Sequence, residues 1–162
     1  MLNRFAYENS RPDGVAVMEI QNGVKQQQRQ FVPLVRTELR GEVIGPLASL
    51  AVTHVYRYTR QQCDRVLAAA YRFPLPGDAA VTGVRVRFGE VEILAELKGR
   101  EAAEKEYGEA VEGGRQAALL TRESPDVFTL QVAGLQPDEA VTVETTYVQL
   151  ARTEGMGWSL RL

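Results

Sequence analysis

Alternation with a period of two dominates this chain, the pattern of strands that press one face on a core and turn the other to water. Leu50, Val52, His54, Tyr56 and Tyr58 share one parity, while Ser49, Ala51, Thr53 and Arg57 mostly take the other. The same pattern sets Val84, Val86 and Phe88 against Arg85 and Arg87, and Phe128, Leu130 and Val132 against Thr129 and Gln131. It returns in Val141, Val143 and Tyr147 against Thr142 and Glu144, and more weakly through Val91, Ile93, Ala95 and Leu97. Turn residues punctuate these runs at Asn22-Gly23, Pro76-Gly77-Asp78, Pro137-Asp138-Glu139 and Gly155-Met156-Gly157. Several short strands divided by such turns predict an all-β chain folded as an antiparallel sandwich or barrel.

One segment departs from the period. From Arg100 to Glu112 the chain is rich in Ala and Glu, and Ala103, Tyr107, Ala110 and Val111 recur at the spacing of one helix face. Gly113 and Gly114 follow, where a left-handed cap is needed. The Glu101 and Lys105 pair at i, i+4 adds only a few tenths of a kcal/mol, so this helix is expected to be held by Tyr107 and its alanines packing on the sheet. It reads as a cover over a sheet end, since its other face offers only glutamates. The run Lys25 to Gln30 reads as a loop or exposed hairpin, and Trp158 to Leu162 alternates like a strand with no closing turn, so the chain reads as truncated at that end.

Composition adds limits to this picture. At 162 residues, 44% hydrophobic and 25% charged, the chain suits one globular domain, and folding at this size hides about 70% of the surface of the unfolded chain. No disulfide or structural metal is needed. The single cysteine, Cys63, has no internal partner, and with one histidine, His54, the zinc spacings are missing. The amino terminus lacks the apolar run of a signal peptide, and no stretch approaches the roughly 18 apolar residues of a membrane span, which makes the expected location cytoplasmic.

Charge is balanced overall at -2, which argues against nucleic acid as a partner, yet it is uneven along the chain. Six arginines face Asp64 and Asp78 between residues 57 and 87, and eight glutamates face Lys98, Arg100 and Lys105 between 88 and 112. Arg57, Arg72, Arg85 and Arg87 are therefore the candidate interaction surface, an arginine stripe able to meet phosphates or a partner's carboxylates. The acidic helix is its natural complement, so copies of the chain are expected to associate through these opposite charges.

Catalytic chemistry finds little to stand on. His54 and Cys63 are the only pair for nucleophilic catalysis, and although Arg60 and Arg65 flank the thiol, His54 has inward parity and reads as a core residue. Glu123 and Asp126 flank Ser124-Pro125 as loop groups, with no apolar pocket to drive their pKa values apart. The glycines never assemble into a phosphate-cradling loop between strand and helix, and a DxSxS magnesium motif is absent. No catalytic residue, metal ligand or cofactor is expected.

The segment Tyr71-Arg72-Phe73-Pro74-Leu75-Pro76, with Ala79-Ala80-Val81 after it, resembles the VIT domain, named for vault proteins and the inter-alpha-trypsin inhibitor heavy chains. Upstream, Val32-Pro33-Leu34 and the strand ending Tyr56-Arg57-Tyr58 fall in the family's order. Downstream, Tyr107, Ala110, Gly114 and Ala118-Leu119-Leu120 are similar to its helix signature, and Asp126-Val127-Phe128, Leu135-Gln136-Pro137-Asp138-Glu139 and Val143 through Tyr147 to its later elements. The resemblance covers 32–162 as a VIT-like domain and leaves 1–31 as an extension that adds a strand at Val15 through Ile20. Thr59 stands where many members have Asn.

The resemblance implies a β-sandwich with the helix of about residues 100–112 packed against it. It assigns structural roles only: Phe73 and Leu75 insert apolar side chains at a strand end, where Pro74 and Pro76 fix φ and remove amide donors. It further implies a non-enzymatic scaffolding module for protein contacts, usually followed by a von Willebrand factor A domain, of which this chain contains none. The leading expectation is a protein partner, such as a von Willebrand factor A domain in cis or in trans. The alternatives are a polyanion-binding module, for RNA or a sulfated glycan, built on the surface arginines, and a Cys63-dependent enzyme or thiol sensor.

Overall fold

The computed structural model describes residues 16–21, 30–74, 79–94, 107–114, 117–124 and 127–160. Among these residues eleven strands lie in this order: β1 Val17–Ile20, β2 Leu34–Ile44, β3 Leu47–Arg57, β4 Leu67–Pro74, β5 Ala80–Phe88, β6 Val91–Leu94, β7 Ala117–Ser124, β8 Val127–Leu135, β9 Ala140–Leu150, β10 Arg152–Glu154 and β11 Gly157–Ser159. One sheet has the order β1-β4-β8-β7, a second the order β2-β3-β9-β5-β6, and β10 and β11 form a separate hairpin. Every pairing is antiparallel. The two large sheets pack as a sandwich, so the chain is all-β.

Parity explains the layers. Leu50, His54 and Tyr56 of β3, Val84, Val86 and Phe88 of β5, and Val141, Val143 and Tyr147 of β9 turn inward and are buried. They meet Tyr71 and Phe73 of β4 and Leu130 and Val132 of β8 from the opposite sheet. Hydroxyls then bridge the layers. Tyr71 and His54 Nδ1 share a hydrogen bond of 2.8 Å, Tyr56 donates to the Ala16 carbonyl at 3.2 Å, and Tyr58 lies 2.6 Å from the Leu135 carbonyl and 2.8 Å from that of Arg65. Burial pushes the Tyr56 and Tyr71 phenols well above their usual range, and burial with the nearby Cys63 pushes Tyr58 up to about 12. All three therefore remain neutral hydrogen-bonding groups at ordinary pH.

The strand expected in Val15 through Ile20 is β1, which pairs with β4, and its Met18 is fully buried in the common core. Of the helix expected over 100–112, residues 107–112 are described and helical; they form α1, and Tyr107 at its start is half-buried. Gly114, with φ of 68°, supplies the left-handed turn after it. Residues 100–106, the turn at Asn22-Gly23, the run from Lys25 to Arg29, the turn at Pro76-Gly77-Asp78, and Ala95 and Leu97 lie outside the described residues.

Sequence periodicity left four strands unmarked, the short β10 among them. β4 is buried or half-buried along its length, and its alanines fall on both faces around a single Arg72, which leaves it ambiguous by period. β2 is exposed along nearly its whole length, and Thr37 and Gly41 interrupt its apolar side. β7 follows directly on the glycine turn of α1. Among the described residues no helix is long and apolar enough to cross a membrane.

Candidate interaction surface

The outer face of the five-stranded sheet is built from the polar parity of its strands. Cross-strand register sets Arg36, Val55, Thr142, Arg87 and Glu92 in one row, Glu38, Thr53, Glu144, Arg85 and Leu94 in the next, and Arg40, Ala51, Thr146 and Gly83 in a third. Arg36, Arg40, Arg85 and Arg87, with Glu38, Glu144, Ala51, Thr53 and Thr142 between them, line a depression of about 220 Å³ on this face.

Carboxylates within the face meet these cations. Glu92 takes Arg87 at 3.1 Å and Arg85 at 3.5 Å, and Glu144 lies 3.9 Å from Arg85. On β2, Glu38 takes Arg40 at 2.5 Å and Arg36 at 3.8 Å. With Arg57 of β3 and Glu42 of β2, which share this parity, five guanidinium groups stand against four carboxylates, an excess of one positive charge. Such exposed pairs each contribute only about 0 to 1 kcal/mol, so a partner's carboxylates could displace them at little cost. A uniform cationic field of the kind that captures polyanions does not develop here.

The four arginines of the expected stripe are not all on this face. Arg85 and Arg87 are neighbours on β5, and Arg57 ends β3 on the same outward parity, opposite Ala140. Arg72 belongs to β4 of the other sheet, where it pairs with Glu19 of β1. Face-to-face sheets stand about 10 Å apart, so Arg72 is separated from Arg85 and Arg87 by the core. Arg36 and Arg40 take its place beside them. The signal for these two was present in the chain, because Arg36, Glu38, Arg40 and Glu42 fall on every second residue.

The described motif residues sit in the sandwich, in α1 or at the turns. Tyr71 stacks on Phe73 at 5.0 Å between ring centroids, and Phe73 on Phe128 at 5.5 Å, across the β4 and β8 register that sets Phe73 opposite Phe128. Pro74 ends β4 opposite Val127, while Leu75 and Pro76 lie outside the described residues. Tyr147 is buried on β9 opposite Leu50. Ala110 lies within α1, and Pro137 and Asp138 make the turn before β9, where Asp138 takes a φ of 65° and its N–H donates to the Tyr58 carbonyl at 2.8 Å.

His54 and Cys63 have separate surroundings. His54 is buried beside Tyr71, and desolvation lowers its pKa. Cys63 is a free thiol in the turn after β3, with Sγ 3.9 Å from the Arg65 carbonyl. Among the described residues no group of three or more His, Cys, Asp or Glu side chains could hold a metal ion.

Comparison with known proteins agrees with this geometry. The profile of the vault protein inter-alpha-trypsin domain, VIT, matches residues 34–147. The chain is 32% identical over 137 residues to human protein mono-ADP-ribosyltransferase PARP4, covering 85% of this chain and 8% of that protein. It is 33% identical over 135 residues to mouse von Willebrand factor A domain-containing protein 5A, covering 82% of this chain and 16% of that protein. The chain thus spans less than a fifth of the length of either relative. Its motif residues, its sandwich and its matched span make this chain a member of the VIT domain family.

Proposed function

We propose that this chain is a non-enzymatic protein-interaction or scaffolding module that works beside a von Willebrand factor A domain, in the same polypeptide or in a separate one. The observation that carries the reading is family membership over residues 34–147, joined to relatives whose names state a von Willebrand factor A domain. The contact face is the outer surface of the five-stranded sheet around Arg85 and Arg87. Planar guanidinium groups there can exchange a weak internal pair for a bidentate contact with a partner's carboxylate. The unpaired Cys63 suits a reducing compartment, and we take the location to be cytoplasmic.

The test is a pull-down from native lysate with the chain as bait, run beside an Arg85→Glu, Arg87→Glu variant whose fold is checked by circular dichroism. Enrichment of a protein bearing a von Willebrand factor A domain, lost with the variant, is the expected result. Recovery of RNA or sulfated glycan with no such protein would overturn the reading in favour of polyanion binding.

A further inference from the structure

Among the described residues the strand β2 is the edge of the five-stranded sheet, with β3 as its one neighbour. It runs for eleven residues and is exposed almost throughout. Long exposed edges invite pairing with another strand, and most proteins shorten or cover them. Among the described residues no strand covers it, and a bulge between Leu34 and Arg36 disturbs one end.

Hydrogen-bonding parity determines which groups face outward. Ile44 and Leu47 flank the two-residue loop Gly45-Pro46 and are directly opposite, so they form a hydrogen-bonded pair. Even-numbered residues from 36 to 44 therefore bond to β3. The peptide groups of Thr37, Leu39, Gly41 and Val43 point to the free edge. Two bonds from the flanks of β3 agree with this parity: Ala151 N–H donates to the Pro46 carbonyl at 2.7 Å, and Arg57 N–H to the Pro33 carbonyl at 3.1 Å.

The side chains of this edge are self-complementary about Leu39, the midpoint of the strand. We propose that β2 pairs antiparallel with β2 of a second copy of this chain, about a twofold axis through Leu39, joining two five-stranded sheets into one. In that register Glu38 faces Arg40 of the second copy and Arg36 faces Glu42, each twice, while Leu39 meets its own counterpart on the inner face. The outward peptide groups of 37, 39 and 41 meet those of 41, 39 and 37. Sliding the strands by two residues sets Glu38 against Glu38 or Arg40 against Arg40, and like charges directly opposite are unfavourable. The exposed Leu39 and Val43, at 43% and 50%, lose water on pairing. The pairing stands independently of the proposed von Willebrand factor A partner.

Sedimentation velocity over a concentration series reads the assembly. The wild-type chain is expected to shift from monomer to dimer, and Glu38→Arg or Arg40→Glu alone to weaken the dimer about tenfold or more, because each places like charges across the axis twice. An equimolar mixture of the two variants is expected to associate nearly as well as wild type, since opposite charges then face each other at every position. Two chains that had failed to fold could not rescue each other. As a measurement without substitutions, amide exchange at Thr37, Leu39 and Gly41 is expected to slow as wild-type concentration rises. A chain that stays monomeric with unchanged exchange at these amides overturns the proposal, as does association that neither single substitution weakens.

Discussion

His54 shows how much one side chain is decided by its layer. It is the chain's only histidine, it is buried, and its Nδ1 is occupied by the Tyr71 hydroxyl across the sandwich. Desolvation disfavours the imidazolium in the fold, so the folded pKa lies below the ordinary value near 6.5. The unfolded chain consequently binds a proton first as pH falls. Its contribution to stability is complete above about pH 6.5 and erodes below it, by at most about 1.4 kcal/mol per pH unit. Thermal melts from pH 7 to pH 5 should show a steeper decline for wild type than for His54→Gln, which cannot titrate. Parallel declines would assign the acid sensitivity to carboxylates instead.

At the scale of the element, the β2 and β3 hairpin depends on one missing side chain. Gly41 faces Leu50 so closely that a Cβ there would stand 2.3 Å from the Ser49 carbonyl oxygen and 2.7 Å from Leu50 Cδ2. Ser49 offers a backbone atom, which cannot rotate away. Gly41→Ala should therefore cost about 1 to 3 kcal/mol by overpacking, read as a lower urea midpoint with an unchanged slope. The outer ion pairs of the same hairpin matter far less to stability, since Arg40 and Arg36 remain mostly exposed beside Glu38.

For the whole molecule, the core extends beyond the span that matches the family. The match to the family profile begins at residue 34, yet Ala16, Val17 and Met18 are buried, and β1 completes one edge of the four-stranded sheet. Val32 donates its N–H to the Met18 carbonyl at 2.9 Å, which ties the segment before β2 to β1. A chain lacking residues 1–31 loses the packing of Met18 alone at about 2 to 5 kcal/mol. It should melt well below the full chain, which differential scanning calorimetry would detect. An equal melting temperature would show that β1 adds nothing to the core.

The sequence by itself determined the strands with one buried face, because burial of one side imposes a period of two on β3, β5 and β9. It also determined the inward aim of His54 and the family, whose motif residues are local and ordered along the chain. Strands outside that regime were less legible: β4, buried or half-buried along its length with alanines on both faces, alternates only weakly, and β2, exposed on both, is under no pressure to alternate. Only the tertiary structure decided which arginines share a surface. Parity states that Arg72 and Arg85 each point away from the core, but not from which sheet, and β4 and β5 are neighbours in sequence that lie in opposite layers. Strand order is set by packing between distant segments, and no local pattern encodes it.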